Sequence, residues 1–127
     1  MKKCNFCLKN NIIKGEILIE NNLCYFVESI DPILNYGGMI ITKRHIETPF
    51  EINDNEWYSI KDLLGKVKTL LDEYNPDGYN IGWNVGKVAG QNVNHAHLHV
   101  FARFSDEPLA FKGLRYAFKQ ELNRRPK

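Results

Sequence analysis

Three histidines alternate with apolar residues in Asn94-His95-Ala96-His97-Leu98-His99-Val100-Phe101, and no other pattern in the chain constrains its fold as much. In a β-strand, alternate side chains share a face. The run therefore reads as a strand from about His95 to Arg103, with the imidazoles on one face and Ala96, Leu98 and Val100 on the other. At ~3.3 Å per residue, His95 and His99 would stand roughly 13 Å apart. The chain has four histidines in all, so three within five residues form a pattern rather than an accident of composition. The fourth, His45, ends a second apolar run, Met39-Ile40-Ile41-Thr42, followed by Lys43-Arg44.

The remaining elements follow from periodicity and turn chemistry. Glu16 to Glu20 and Leu23 to Val27 flank Asn21-Asn22, which predicts a hairpin with a two-residue turn. Asp31-Pro32 opens a loop that runs to Gly37-Gly38, and Met39 to Thr42 reads as a buried strand. Asn53 with Glu56 three residues on is a capping-box arrangement. From there Trp57, Ile60, Leu64, Val67, Leu71 and Tyr74 recur near a 3.6-residue period, predicting a helix of about five to six turns. Asn75-Pro76-Asp77-Gly78 stops it. Tyr79 to Val85 is the next strand, and a loop of small and polar residues, Gly86 to Val93, leads into the histidine strand. The segment 113–124 has only weak helical periodicity. Strands with one long helix between them predict an α+β domain: an antiparallel sheet of about five strands, the helix on one face, and a short C-terminal helix or tail over 104–127. Ala96, Leu98 and Val100 are expected beneath the helix, with the histidines looking out from the opposite face.

The chain of 127 residues fits one domain, 1–127, with 43% apolar residues and 25% charged ones. A formal net charge of +2 gives no reason to expect a nucleic-acid surface. No apolar stretch approaches the ~20 residues that cross a bilayer. Lys2 and Lys3 precede no hydrophobic segment, so no signal peptide is expected and a cytoplasmic location follows.

A row of imidazoles suits nucleophilic chemistry at phosphorus. Neutral imidazole is a good nucleophile, and its pKa of ~6.5 leaves it mostly neutral at pH 7. Phosphoryl transfer needs positioning and donors to the non-bridging oxygens, which neighbouring histidines supply. His97, with a same-face partner on each side, is the natural nucleophile, and His99 a donor to phosphoryl oxygens or the leaving group. Asn84, Gly86, Gly90, Gln91 and Asn92 bring amides and flexible backbone beside the histidines, although a plain strand connection has the same composition. The base would meet apolar hairpin residues such as Phe26 or Ile30. Trp57 is expected in the core or at its edge, Lys43 and Arg44 as solvated charges, and Cys24 as a small buried hydrophobe.

The stretch Gly78 to Val100, with Ala89-Gly90-Gln91 ahead of His95-Ala96-His97-Leu98-His99-Val100-Phe101, resembles the histidine triad (HIT) family, whose pattern is His-φ-His-φ-His-φ-φ with φ apolar. Met39 to His45 is similar to the family's apolar strand ending in Pro-Lys-Arg-His, with Thr42 in place of the proline. The likeness runs from Cys4 to about Arg103. It implies a HIT-like fold and a nucleotide hydrolase or transferase. Such an enzyme attacks the α-phosphate of nucleoside phosphoramidates or dinucleoside polyphosphates and passes through a nucleotidyl-histidine. It implies catalytic His97 as nucleophile with His99 and His95, substrate contacts from Asn84, Gln91, Asn92 and, at the ribose position, Ser29, a homodimer, and no cofactor for the chemistry.

Cys4-Asn5-Phe6-Cys7 can supply half of a tetrahedral zinc site, or be two free thiols or a redox pair. Some bacterial HIT proteins carry such an N-terminal Cys-x2-Cys and bind zinc. That resemblance implies a structural Zn2+ on Cys4, Cys7, His45 and His95, with residues 1–10 as its N-terminal segment. Other readings of the triad are a catalytic metal site, which lacks a carboxylate within the run, and a nucleotide-binding regulatory dimer with little turnover.

Overall fold

The computed structural model describes residues 3–126; Met1, Lys2 and Lys127, at the ends of the two terminal segments delimited above, lie outside the described residues. Alternation at the histidine run builds a strand, β5 (His97–Arg103), which begins at the second histidine rather than the first. Ahead of it in the chain come β1 (Ile17–Glu20), β2 (Cys24–Glu28), β3 (Gly37–Thr42), α1 (Asp54–Asp72) and β4 (Gly78–Trp83). They form a five-stranded antiparallel sheet in the order β1-β2-β3-β5-β4. The fold is the expected α+β class. Among the described residues no helix is long and apolar enough to cross a membrane.

The hairpin turn sits one residue later than Asn21-Asn22. The Asn21 N–H donates to the Cys24 carbonyl at 3.0 Å, and its Oδ1 accepts from the N–H groups of Leu23 and Cys24 at 3.2 and 3.0 Å. The side chain thus closes a turn at Asn22-Leu23. β3 begins earlier than expected, at Gly37-Gly38, because the pair packs between strands. A Cβ on Gly37 would strike the Val100 carbonyl, and one on Gly38 the Val27 carbonyl.

One face of the sheet carries Cys24, Phe26, Ile40, Leu98 and Val100, packed on Ile60, Leu63, Val67 and Leu71 of α1. Asn53 caps the helix with the reciprocal Glu56 bond. The buried stripe is rotated from the expected one. Glu56 and Leu63 enter it, whereas Trp57 is 44% exposed and Tyr74 lies beyond the helix end. Trp57 instead meets Trp83 edge-to-face at 6.2 Å. The opposite face is not open, as the sequence reading had it. Tyr25, Val27 and Ile41 are covered there by Phe6, with Cys4, Leu8 and Ile13 around it. The Tyr25 hydroxyl donates to the Phe6 carbonyl at 2.6 Å and fixes this N-terminal roof.

Arg44 is not a free surface charge. Its Nε and Nη2 donate to the two carboxylate oxygens of Glu56 at 3.0 and 2.8 Å, and Glu56 is only 2% exposed. The guanidinium and the Asn53 N–H hold that carboxyl below its ordinary range against the opposing effect of burial. Replacing Arg44 by methionine leaves a buried carboxylate without its cation. The expected result at pH 7 is a fall in thermal midpoint of roughly 5 °C. A depressed carboxyl contributes stability that is present above its unfolded pKa of ~4.3 and lost as pH falls through the folded value. The gap between wild type and Arg44→Met should therefore close on acidification below about pH 4; thermal melts from pH 7 to pH 3 check it.

Among the described residues the tail after β5 forms turns, with a single helical turn at Glu121–Asn123 and no longer helix. Its apolar side chains, among them Phe111, Phe118 and Leu122, are exposed. A short helix with no buried face is marginal, so weak periodicity there does not yield one.

Candidate active site and metal centre

β5 presents His97, His99, Phe101 and Arg103 on one face by strand alternation. The His97 and His99 rings lie 5.0 Å apart at 73°, and His99 stacks on Phe101 at 6.0 Å and 18°. His97 Nδ1 lies 2.7 Å from the His95 carbonyl oxygen, which can only accept, so Nδ1 carries the proton. The Nε2 lone pair is then free. Burial pushes the His97 pKa below its ordinary value, which keeps the ring neutral and nucleophilic at pH 7. Burial, with His97 beside it, does the same to His99. His99 Nε2 is buried with no hydrogen-bond partner among the described residues, so a bound group can use it.

His95 stands ahead of the strand and faces another centre. Its Nε2 donates to the Thr42 carbonyl at 2.6 Å, which leaves Nδ1 as the lone-pair nitrogen. That Nδ1 lies 3.4 Å from Cys4 Sγ, 3.6 Å from Cys7 Sγ and 3.2 Å from His45 Nδ1. Cys7 Sγ is 3.2 Å from His45 Nδ1. All four donor atoms lie within 4.8 Å of one another. Zinc bonds of ~2.0–2.3 Å in a tetrahedron require ligand atoms about 3.3–3.8 Å apart. The donor set and spacing therefore fit a tetrahedral metal ion. The Thr42 carbonyl on the far nitrogen is the outer contact that commonly orients a metal-ligating histidine.

The loop between β4 and β5 carries the predicted amide contacts. Gln91 is buried, and its Nε2 donates to the Glu47 and Val93 carbonyls at 2.7 and 3.1 Å. Its Oε1 accepts from the Gly86 N–H at 2.8 Å. All its polar atoms are engaged, so in this conformation it braces the loop. Asn84 is exposed with its amide beside Gly90, and Asn92 is exposed farther along the same loop. Ser29 lies elsewhere, in the loop after β2, where its Oγ accepts from the Asp31 N–H at 3.2 Å. Asp31 in turn accepts from the N–H groups of Ile33 and Leu34 at 2.7 and 3.0 Å.

Ser29 and His99 line a cavity of about 370 Å³, walled by Phe6, Ile30, Leu34 and Met39. This volume is in the range of small-molecule sites. Ile30 is there as expected, but Phe26 is not. Strand alternation turns Phe26 into the core under α1, where it is fully buried. Phe6 was not foreseen. It sits between the two cysteines and meets the His97 ring edge-to-face at 5.1 Å and 80°. Its one sequence signal is its place inside Cys4-x2-Cys7, since a closed metal site would hold it beside the triad.

Comparison with known proteins agrees with this geometry. The HIT domain model matches residues 10–106, and the chain belongs to that family. An adenosine 5'-monophosphoramidase (HNT1) of Candida albicans is 38% identical over 112 residues, covering 79% of this chain and 70% of that protein. A bis(5'-adenosyl)-triphosphatase of Dictyostelium discoideum is 25% identical over 93 residues, covering 72% and 62%. Among solved structures, a HIT family member from Bacillus subtilis superposes with a TM-score of 0.74 at 25% identity, over 83% of this chain and 76% of that one.

Proposed function

We propose that the protein is a nucleotide hydrolase that cleaves nucleoside phosphoramidates or dinucleoside polyphosphates at the α-phosphate through a nucleotidyl-His97 intermediate. The observation that carries this reading is the His97 ring, locked by the His95 carbonyl with a neutral Nε2 free beside His99. Relatives that are named monophosphoramidase and triphosphatase support both substrate classes. The nucleoside occupies the cavity between Phe6, Ile30 and Met39, with Ser29 near the sugar. His97 Nε2 forms a bond to phosphorus as the bond to the leaving nitrogen or oxygen breaks, and the electron pair departs with that atom. The positive charge gained by the ring is stabilised by the His95 carbonyl on Nδ1. His99 Nε2 hydrogen-bonds the phosphoryl group or the leaving atom. Water then attacks phosphorus, the N–P bond breaks, and the nucleoside monophosphate leaves with neutral His97 restored. A leaving amine takes a proton from solvent as the P–N bond breaks in the first step, a polyphosphate leaves as its anion, and the attacking water gives its proton to solvent in the second step.

The Cys4, Cys7, His45 and His95 cluster is assigned to a structural Zn2+, which supplies no chemistry beyond pinning the N-terminal roof. A homodimer that joins the two sheets into one and a cytoplasmic location complete the proposal. A second reading, a nucleotide-binding regulatory dimer with little turnover, is favoured by the fully engaged amide of Gln91.

The test is chromatography of products from adenosine 5'-monophosphoramidate and diadenosine triphosphate. AMP from either substrate, in stoichiometry with its loss, is expected. Nucleotide binding without AMP release from either would select the regulatory reading.

A further inference from the structure

The match to the family ends at residue 106, yet the chain continues and returns to the catalytic face. Arg103 is the fourth member of the row that holds His97 and His99, and it binds this extension. Its guanidinium donates to the Leu109 and Lys112 carbonyls at 2.9 and 2.8 Å, and to the Glu107 carboxylate. Two residues on, Leu114 reaches β4. Gly82 pairs directly with His99, so its missing side chain would project on the histidine face. A Cβ there would lie 3.3 Å from a Leu114 methyl carbon. The extension therefore passes over Gly82 beside His99.

Its charge is opposite to that of the rest of the chain. Residues 107–127 hold six of the 17 lysines and arginines and two acidic residues, a net +4, which leaves net −2 for the remainder of a chain of net +2. Lys112 lies over the Tyr116 ring, and Arg124 pairs with Glu121. Arg115 and Lys119 are exposed and form no ion pair among the described residues. Phe118 between them is 67% exposed.

Resting on the hydrolase reading, we propose that this extension is a dock for a polyanionic leaving group, and that the preferred substrates carry two or more phosphates beyond the α-phosphate. Arg103 is the positioning residue that places the dock. Arg115 and Lys119 face the departing phosphates, and Phe118 offers an aromatic surface to a base attached to them. A phosphoramidate has a small amine as leaving group and has nothing for the dock to hold. Exposed cations that do not touch the reacting atoms act mainly by raising local substrate concentration, so the effect falls on KM and weakens with salt.

The test compares wild type with Arg115→Glu/Lys119→Glu. The expected result is a drop of roughly tenfold in kcat/KM for diadenosine tetraphosphate, carried by KM, with adenosine 5'-monophosphoramidate unaffected. Equal losses on both substrates, or none, would overturn the proposal. Calorimetric titration of AMP and ATP into His97→Ala protein, with and without the two tail substitutions, separates the dock from the chemistry. ATP should bind more tightly than AMP, and the difference should vanish with the substitutions. A difference that is absent, or that survives them, overturns the dock. A tail-dependent difference in a protein that hydrolyses neither substrate would sink the hydrolase reading and keep the dock.

Discussion

His97→Gly protein should fold, take up nucleotide and release no measurable AMP, and added imidazole should restore part of the turnover. This is the largest effect expected from a single substitution. Removing the nucleophile of an enzyme that works through a covalent intermediate typically costs on the order of 10⁴-fold or more in kcat. Glycine is preferable to a bulkier replacement because His97 is 6% exposed and lies against Phe6. The vacated space is then lined by an aromatic edge and bounded by His99, and it can admit a free imidazole. The His95 carbonyl, which accepts from Nδ1 in the native protein, remains to orient the guest. Two controls bear on interpretation. The metal content should match wild type, because His97 is not among the four clustered ligands. The affinity for AMP should hold within a few-fold, because the cavity walls are contributed by other residues. Turnover at the wild-type rate without imidazole would remove His97 from the mechanism. A dead protein that imidazole does not rescue, with AMP affinity intact, would shift the role of His97 from nucleophile to electrostatic support.

The outcomes differ from the sequence reading where local pattern stops carrying information. The histidine strand, the Asn53-Glu56 cap and the helix length were legible because each is a local regularity. The face to which β2 turns its side chains was not. Cys24 to Val27 are all buried, so no alternation marks which side faces the helix, and Phe26 was placed on the wrong one. The helix stripe was misjudged at its start because Glu56 is polar yet buried, and the Arg44 fork that permits this comes from another element. The N-terminal roof has no periodicity at all. It is held by the Tyr25 hydroxyl on the Phe6 carbonyl and by the clustered cysteines, and these are long-range contacts. Gln91 was expected to contact phosphate, and no local pattern signalled that its amide would also bond three backbone groups, one of them the Glu47 carbonyl outside its own loop.

If the Cys4, Cys7, His45 and His95 cluster holds the proposed zinc, its removal should release the N-terminal segment while α1 and its half of the core stay folded. Among the described residues Cys4, Cys7, His45 and His95 provide the cluster, and two of them are on the segment that roofs the histidine face. An ion bound to the native state alone contributes RT ln(1 + [L]/Kd), about 4 kcal/mol at a thousandfold excess over Kd. Removing it by chelation, or by Cys4→Ser/Cys7→Ser, should lower the thermal midpoint by roughly 10 °C or more. Hydrogen exchange gives the sharper reading. Amides from 4 to 13 should lose protection first, and those of β2 around Tyr25 and Val27 should follow as their cover departs. The helix side, where Leu63 and Val67 meet Phe26 and Ile40, should keep its slow exchange. Phe6 leaves with the roof, so the cavity loses a wall and AMP affinity should fall together with the protection at 4–13. Zinc at about one ion per chain in protein from metal-replete medium is the starting expectation. A preparation without metal that already shows protected amides at 4–13 would mean that the Tyr25 bond and the Phe6 packing hold the roof unaided.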